Sequence, residues 1–358
     1  MRPRHSCQPC DYSYIAHLHT RSTSPFRHQL KNSNCAPLLA ACLVTIACTP
    51  VFAQSTDADF SALSKARKTV EMETLARERI GKNSKDDIAL WYLGRVVAGD
   101  AKKRDELIPR VEQCIKDLPQ SARCHNLLGS LYGSAATSAG MTAGLKYAGR
   151  IKDMFVKAVE LDPKNFEMRR DLNQFYLVAP GLAGGSVRKA IENSNDFAKV
   201  DASRSQLLRA DVHIYEKEYA KAEAILLALK PSGDSDLAES VQAATSNLGF
   251  AMINNGAADK AQKLFERQIA VAPGRAAAHF GLGRALLEQK AFDPAIVSIE
   301  RALQIDPKLN GHYRLGIAYQ SKGDKAKAKV AFEQFLAYST QGRAADDARK
   351  RLDELKAG

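Results

Sequence analysis

Residues 276–307 read AAAHFGLGRALLEQKAFDPAIVSIERALQIDP, and the spacing within this stretch decides the fold. A leucine precedes Gly283 and another follows it by three residues, while Ala295 stands twelve residues after the glycine. Ile299 and Pro307 follow at plus sixteen and plus twenty-four. Small residues at these spacings, each close to a large apolar residue, indicate two helices that pack tightly together.

The same spacing recurs every 33 or 34 residues in the C-terminal half and loosens towards the N-terminus. Seven copies run from about residue 87 to residue 341. The residues at the glycine position are Gly94, Gly129, Asn173, Ala210, Gly249, Gly283 and Gly316. Extra residues interrupt the second and third copies, and we expect inserts at 133–146 and 177–186.

The spacing has a direct physical interpretation. The leucine, the glycine and the large residue at plus three share one face of a first helix. The glycine has no side chain and the alanine at plus twelve has a short one, so a second helix can cross closely. The apolar residue at plus sixteen fills the wedge, and the proline ends the second helix. One such pair cannot bury its apolar face alone, so the copies must stack.

These residues and intervals resemble the tetratricopeptide (TPR) repeat family, in its exported bacterial form. The resemblance implies an all-α, right-handed α-solenoid of about seven helix-turn-helix repeats at 87–342, used as a scaffold for protein–protein interaction. We expect an N-terminal capping helix within 54–86, with Phe60, Leu63, Val70 and Leu75 on its apolar side. Residues 343–358 are expected to form a C-terminal capping helix.

The resemblance also places a binding groove on the concave face lined by the first helices. Its residues lie three before and one after the glycine position, four apart and therefore on one helix face. The predicted groove residues at these positions are Trp91, Arg95, Asn126, Arg170, Phe250, Phe280, Arg284 and Tyr313, and Arg204, six before the glycine position of its copy, is added to them. Aromatic residues and arginines are common at binding hot spots. The alternative is that several of them pack within the superhelix.

The first 53 residues are interpreted as a signal peptide and a leader that is not necessarily translated. The apolar stretch 36–53 ends in Val51-Phe52-Ala53, which predicts cleavage after Ala53 and export to the periplasm. It is too short and too interrupted by prolines to favour a membrane span. The alternative is a lipoprotein anchored at Cys42, which ends the sequence Leu-Ala-Ala-Cys.

Five of the seven cysteines lie in this leader, and the exported chain keeps Cys114 and Cys124. An oxidising compartment would allow these two to form a disulfide; the alternative is two buried, unbridged thiols.

The net charge is +12, or +8 without the leader, and it is spread along the chain. Nucleic acid is therefore not an expected partner.

No catalytic motif was found, and we expect no enzyme activity, no metal and no cofactor. His279 and His312 stand at the same offset before their glycines, where packing is the expected role. The glycine-rich turn at Gly184, Gly185 and Ser186 precedes a helix, and free amides there would bind an anion. A plain tight insert is the alternative.

Together these patterns predict a non-catalytic scaffold or assembly factor of the cell envelope that binds another envelope protein or peptide. One alternative is an accessory protein that binds a small anionic ligand or lipid through the glycine-rich inserts. The other is a lipid-anchored structural protein. The sequence does not determine the partner or the oligomeric state.

Overall fold

A computed structural model describes residues 57–66, 68–340 and 342–357 of the 358-residue chain. The leader, the cleavage position after Ala53 and Cys42 lie outside these residues. The described residues form seventeen α-helices and no strand. The helices are α1 Asp57–Lys65, α2 Thr69–Lys82, α3 Asp87–Val97, α4 Ala101–Asp117, α5 Ala122–Ala139, α6 Met141–Leu161, α7 Phe166–Val178, α8 Val187–Phe197, α9 Ala202–Tyr215, α10 Tyr219–Ala228, α11 Ser235–Asn254, α12 Ala258–Val271, α13 Ala276–Glu288, α14 Phe292–Ile305, α15 His312–Lys322, α16 Lys325–Leu336 and α17 Arg343–Ala357.

The chain divides into two compact units that meet in sequence at Val96 and Val97. The first contains α1, α2 and all of α3 except its last residue. The second contains α4 to α17 and the successive helix pairs α5–α6 to α15–α16. These pairs follow the predicted register, so the second unit is an all-α solenoid of the expected kind.

The motif glycines lie where the two helices of a pair touch. A Cβ placed on Gly283 would lie 2.5 Å from Ile299 Cγ1, and one on Gly316 would lie 2.6 Å from Phe332 Cε1. The residue at plus sixteen therefore occupies the space that a side chain at the glycine position would need. The alanines at plus twelve, Ala222, Ala261, Ala295 and Ala328, are fully buried at 0% exposure, as is Ala190, which is displaced by the insert of its repeat.

Consecutive first helices of the second unit, from α5 to α13, lie against one another, whereas its consecutive second helices lie further apart. Each pair also packs against the first helix of the next pair. This arrangement gathers the first helices on one side of the stack.

The insert predicted at 133–146 is helical. It lengthens both members of its pair: α5 has 18 residues and α6 has 21, against 13 in α13 and 14 in α14. Gly140, with φ of +82°, makes the turn between them. This segment therefore extends the helical stack.

The N-terminal cap differs from its prediction as a single helix. It is two helices, α1 and α2, and Val70 is 74% exposed, so it does not lie on the apolar side as expected. The buried side of α2 is instead formed by Met72, Ala76 and Ile80. Within this unit Phe60 stacks on Tyr92 with ring centroids 4.5 Å apart.

At the C-terminal end of the second unit, α17 packs against α16. Ala345, Ala348 and Leu352 join the core that Phe332 and Phe335 of α16 dominate. Among the described residues, no helix is both long and apolar enough to cross a membrane.

Candidate functional site

The predicted groove residues lie on the first helices, and the structure separates them into three groups. Trp91 and Arg95 belong to the first unit and form a pair of their own. The Arg95 guanidinium lies 4.6 Å from the centre of the Trp91 ring, over its face, in a cation–π contact. Arg95 is exposed and Trp91 is half-buried, so both reach solvent.

The second group surrounds Phe250. This half-buried ring packs on Phe265 at 5.3 Å and on Phe280 at 6.2 Å between centroids. Above it lies the Arg284 guanidinium, 5.4 Å from the ring centre, which also donates to Asn254 Oδ1 at 3.0 Å. Phe280 itself is only 2% exposed, so the prediction that it is a surface anchor is corrected: it supports Phe250 from the core.

Tyr313 contacts the same core cluster as Phe250. Its hydroxyl donates to Asp347 Oδ2 of α17 at 2.7 Å. Burial and this hydrogen bond raise the pKa of Tyr313 above its ordinary value, because ionisation would place a second negative charge beside Asp347. The phenol is thus a fixed, neutral donor with part of its ring accessible. We call Phe250, Arg284 and Tyr313 the aromatic–arginine group.

The third group consists of predicted groove residues that bridge consecutive repeats. Asn126 is 2% exposed and donates from Nδ2 to Asp171 Oδ2 of the next first helix at 2.9 Å. Arg170 of α7 forms an ion pair with Asp211 of α9, Nε to Oδ2 3.8 Å. Asp211 is buried, and desolvation raises the pKa of its carboxyl despite the nearby guanidinium.

Arg204 belongs to this group as well. It donates to Asp201 Oδ2 at 2.8 Å and to Asp234 Oδ2 at 2.9 Å, and so links the start of α9 to the residue that caps α11. At Asp201, burial raises the pKa of the carboxyl, but hydrogen bonds from the backbone and side chain of Arg204 outweigh it and lower the pKa below its usual value. At Asp234, the hydrogen bond from Leu237 N lowers the pKa most, burial opposes it, and the Arg204 side chain lowers it further. Asn126, Arg170 and Arg204 therefore hold repeats together, and the expectation that they form exposed binding contacts is corrected on this ground.

The glycine-rich turn does not offer the free amides that anion binding would need. A short 3-10 turn, Gly181–Ala183, precedes Gly184, whose φ is +96°. Gly184 N donates to Gly181 O, Gly185 N to Pro180 O and Ser186 N to Tyr176 O. The Ser186 hydroxyl accepts from Lys189 N as the cap of α8. Because the three loop amides already have backbone partners, the anion-cradle prediction is wrong for these groups.

The two cysteines of the described chain lie where α4 ends and α5 begins. Cys114 and Cys124 form a disulfide with their Cα atoms 6.1 Å apart, inside the range that the bond requires. The bridge connects the second helix of one repeat to the first helix of the next.

Two of the histidines at the repeated position form hydrogen bonds with backbone carbonyls. His125 Nε2 lies 3.1 Å from Pro119 O, and His279 Nε2 lies 2.9 Å from Pro273 O, both six residues upstream. His312 instead packs against Tyr338, so His279 and His312 have separate partners.

The sequence analysis missed a different cluster: His213, Glu216 and Glu218 converge at the end of α9. The sequence feature that could have revealed this cluster is His213 itself, which lies three residues after the glycine position, where the other copies have large apolar residues.

The helix-pair geometry and the buried small residues fit the family that the spacing suggested, and direct comparison agrees. Two tetratricopeptide repeat family models match residues 252–314 and 309–341. Residues 252–341 are tetratricopeptide repeats. As a class, this fold is typical of non-catalytic scaffolds that bind other proteins.

The chain is similar to a curated protein in sequence and to solved structures in fold. The Superkiller complex protein 3 of Mus musculus is 38% identical over 90 residues, which span 24% of this chain and 6% of that protein. The crystal structure of yeast Tom70 aligns with a TM-score of 0.58 at 14% identity, over 82% of this chain and 60% of that one. A tetratricopeptide repeat protein from Parabacteroides merdae aligns with a TM-score of 0.43 at 13% identity, over 84% and 96% of the chains. This chain thus spans a small part of the mouse protein and about three fifths of Tom70, and the likeness to Tom70 establishes the fold alone.

Proposed function

We propose that this protein is a non-catalytic binding scaffold of the bacterial cell envelope. A segment of another envelope protein lies along the first helices of the second unit and contacts the aromatic–arginine group. The observation that carries this proposal is the Arg284 guanidinium held over the half-buried Phe250 ring, with Tyr313 on the same core cluster.

Three properties of this group support the proposal. Its rings rest on buried aromatic side chains, so they lose little conformational freedom when a partner binds. Arg284 combines a flat cation with donor groups, and arginine and tyrosine dominate binding energy at many protein interfaces. Arg284 is hydrogen-bonded to Asn254 of α11 and Tyr313 to Asp347 of α17, so the group is fixed to the neighbouring helices, which favours a surface formed in advance of binding.

The location in the envelope rests on the signal-like stretch that ends at Ala53. Export and cleavage would produce a protein that begins with Gln54, and an oxidising compartment would suit the Cys114–Cys124 disulfide. N-terminal sequencing and intact mass of the protein from its native cell test this part. A lipid-modified Cys42 or an intact residue 1 would contradict it.

The binding surface is tested by photocrosslinking in the native cell. A benzoylphenylalanine at Glu288, exposed one turn beyond Arg284 on α13, should crosslink to a partner protein. The same probe at Val297, 66% exposed on the second helix α14, is the control. With the crosslinked protein purified, Phe250→Ala and Arg284→Ala should each weaken its binding by about 1–3 kcal/mol, since these are the proposed anchors.

The matched control for affinity is Lys329→Ala on the exposed side of α16, which should bind like the wild type. Crosslinks from Val297 alone, or equal affinity in the Arg284→Ala and Lys329→Ala variants, would show that the partner does not bind on the first helices.

A further inference from the structure

The turns between first and second helices share one backbone geometry in the last four repeats. The residue seven after the glycine position is left-handed, with φ of 61° at Lys217, 79° at Gly256, 61° at Lys290 and 92° at Gly323. The next residue then donates its amide to the carbonyl at plus three, which fixes the corner. These bonds join Glu218 to His213 at 2.8 Å, and Ala257 to Met252, Ala291 to Leu286 and Asp324 to Tyr319, each at 2.9 Å.

Because the backbone is the same, the side chains at plus three, plus six and plus eight can be compared directly. In the fourth repeat they are His213, Glu216 and Glu218, whose ligating atoms all lie within 4.8 Å of one another. The equivalent residues in the next three repeats are Met252, Asn255 and Ala257; Leu286, Gln289 and Ala291; and Tyr319, Lys322 and Asp324. Of these four corners, only the fourth repeat's has an imidazole and two carboxylates.

The scaffold itself does not require these groups. Met252 and Leu286 are 2% and 8% exposed and fill the core at plus three. His213 replaces that apolar group with a ring that is 20% exposed, and its Nδ1 lies 2.7 Å from Glu218 Oε2.

Glu216 adds a second negative charge at the C-terminal end of α9, where the helix dipole disfavours an anion and favours a cation. An imidazole with two carboxylates matches the preferences of zinc and its neighbours among the divalent transition ions. The three groups thus combine suitable ligand chemistry with a corner whose backbone is already fixed.

The geometry points to a site for a divalent transition ion, Zn²⁺ as the representative, bound by His213 Nδ1 and the carboxylates of Glu216 and Glu218. Zinc bonds to nitrogen and oxygen are about 2.0–2.2 Å long, so the ion enters by replacing the hydrogen bond between His213 and Glu218. Lys221 stays on the other oxygen of Glu218, 2.7 Å away. The bound ion would fasten the end of α9 to the start of α10.

The test uses the full chain without an affinity tag and titrates it with ZnCl₂ in a calorimeter. His213→Leu, which copies the residue at the equivalent position 286, and Glu216→Gln should each remove one class of zinc site or weaken it at least about tenfold. His279→Leu is the matched control, because His279 lies in a different repeat, hydrogen-bonded to the Pro273 carbonyl, and its loss should leave that site intact. MgCl₂ should not compete, since magnesium prefers an all-oxygen octahedral shell.

The leader contains histidines and cysteines, which are residue types that bind zinc, so a second readout reports on the corner alone. Paramagnetic Co²⁺ should shift and broaden the ring signals of His213 at equivalence and leave those of His279 in place. Unchanged His213 signals, or the same zinc stoichiometry and affinity in wild type, Glu216→Gln and Glu218→Gln, would overturn the proposal.

Discussion

The Arg170 guanidinium of α7 forms an ion pair with the buried Asp211 carboxylate of α9, Nε to Oδ2 3.8 Å. The two residues lie at minus three and plus one of consecutive repeats, the positions that the family resemblance assigns to partner binding. In this protein they connect one first helix to the next, which makes them part of the scaffold.

Replacement of Arg170 by alanine should destabilise the protein by about 3 kcal/mol, near the lower end of the range for breaking a buried ion pair. The reason is that Asp211 is 7% exposed and would keep an uncompensated carboxylate, while Arg170 is itself 22% exposed. Urea unfolding measures the change. Arg188→Ala, which breaks a pair whose arginine is 76% exposed, is the control and should change stability by no more than about 0.5 kcal/mol. Equal effects of the two variants would contradict this role.

The stability that Asp211 contributes should decrease as pH rises. Burial raises the pKa of its carboxyl above the ordinary 3.8, so between these two values the folded chain binds more protons than the unfolded chain. The contribution is therefore full below about pH 3.8 and is lost as pH rises through the raised pKa. Urea unfolding of wild type and Asp211→Asn at several pH values should show the wild type losing stability relative to the variant over that window. A constant difference, or one of opposite slope, would count against the assignment.

Gly283→Ala should destabilise the protein by about 1–3 kcal/mol through overpacking. The new Cβ would lie 3.1 Å from Ala295 O and 3.2 Å from Ile299 N, which are backbone atoms that cannot move aside. Gly274→Ala is the matched control, because a Cβ there meets nothing within 4 Å. Thermal unfolding of the two variants compares them; a Gly283→Ala midpoint equal to that of Gly274→Ala would mean that the assigned repeat register is wrong.

The Cys114–Cys124 disulfide should stabilise the junction between α4 and α5 by about 2–3 kcal/mol, the loop-closure value for a separation of 10 residues. Reduction should therefore raise amide exchange in these two helices. A variant with serine at both positions should match the reduced protein and should not respond to reductant. If wild-type exchange stays the same after reduction is verified by thiol titration, the bridge does not stabilise this junction.

Much of the fold follows from the spacing of small and large residues. Gly283, Ala295 and Ile299 define one helix crossing, and the structure brings them together as the intervals require. Such contacts lie within about twenty residues, where helix periodicity alone fixes which side chains meet. The surface was predicted less well, because exposure depends on how each pair stacks on the next. Phe280 shows the limit: its position in the repeat matches a binding residue, but neighbouring helices cover it.

The sequence by itself determined the helix pairs, their order, and the small residues that let them cross, because these depend on local periodicity and on side-chain volume. Only the tertiary structure decided which charged residues meet across repeats, as Arg170 with Asp211 and Arg204 with Asp234, since those pairings depend on the stacking of α7, α9 and α11. It also decided that the insert of 133–146 continues two helices. Intrinsic helix propensity contributes little to helix stability, so packing between the extended parts of α5 and α6 determines that the insert is helical.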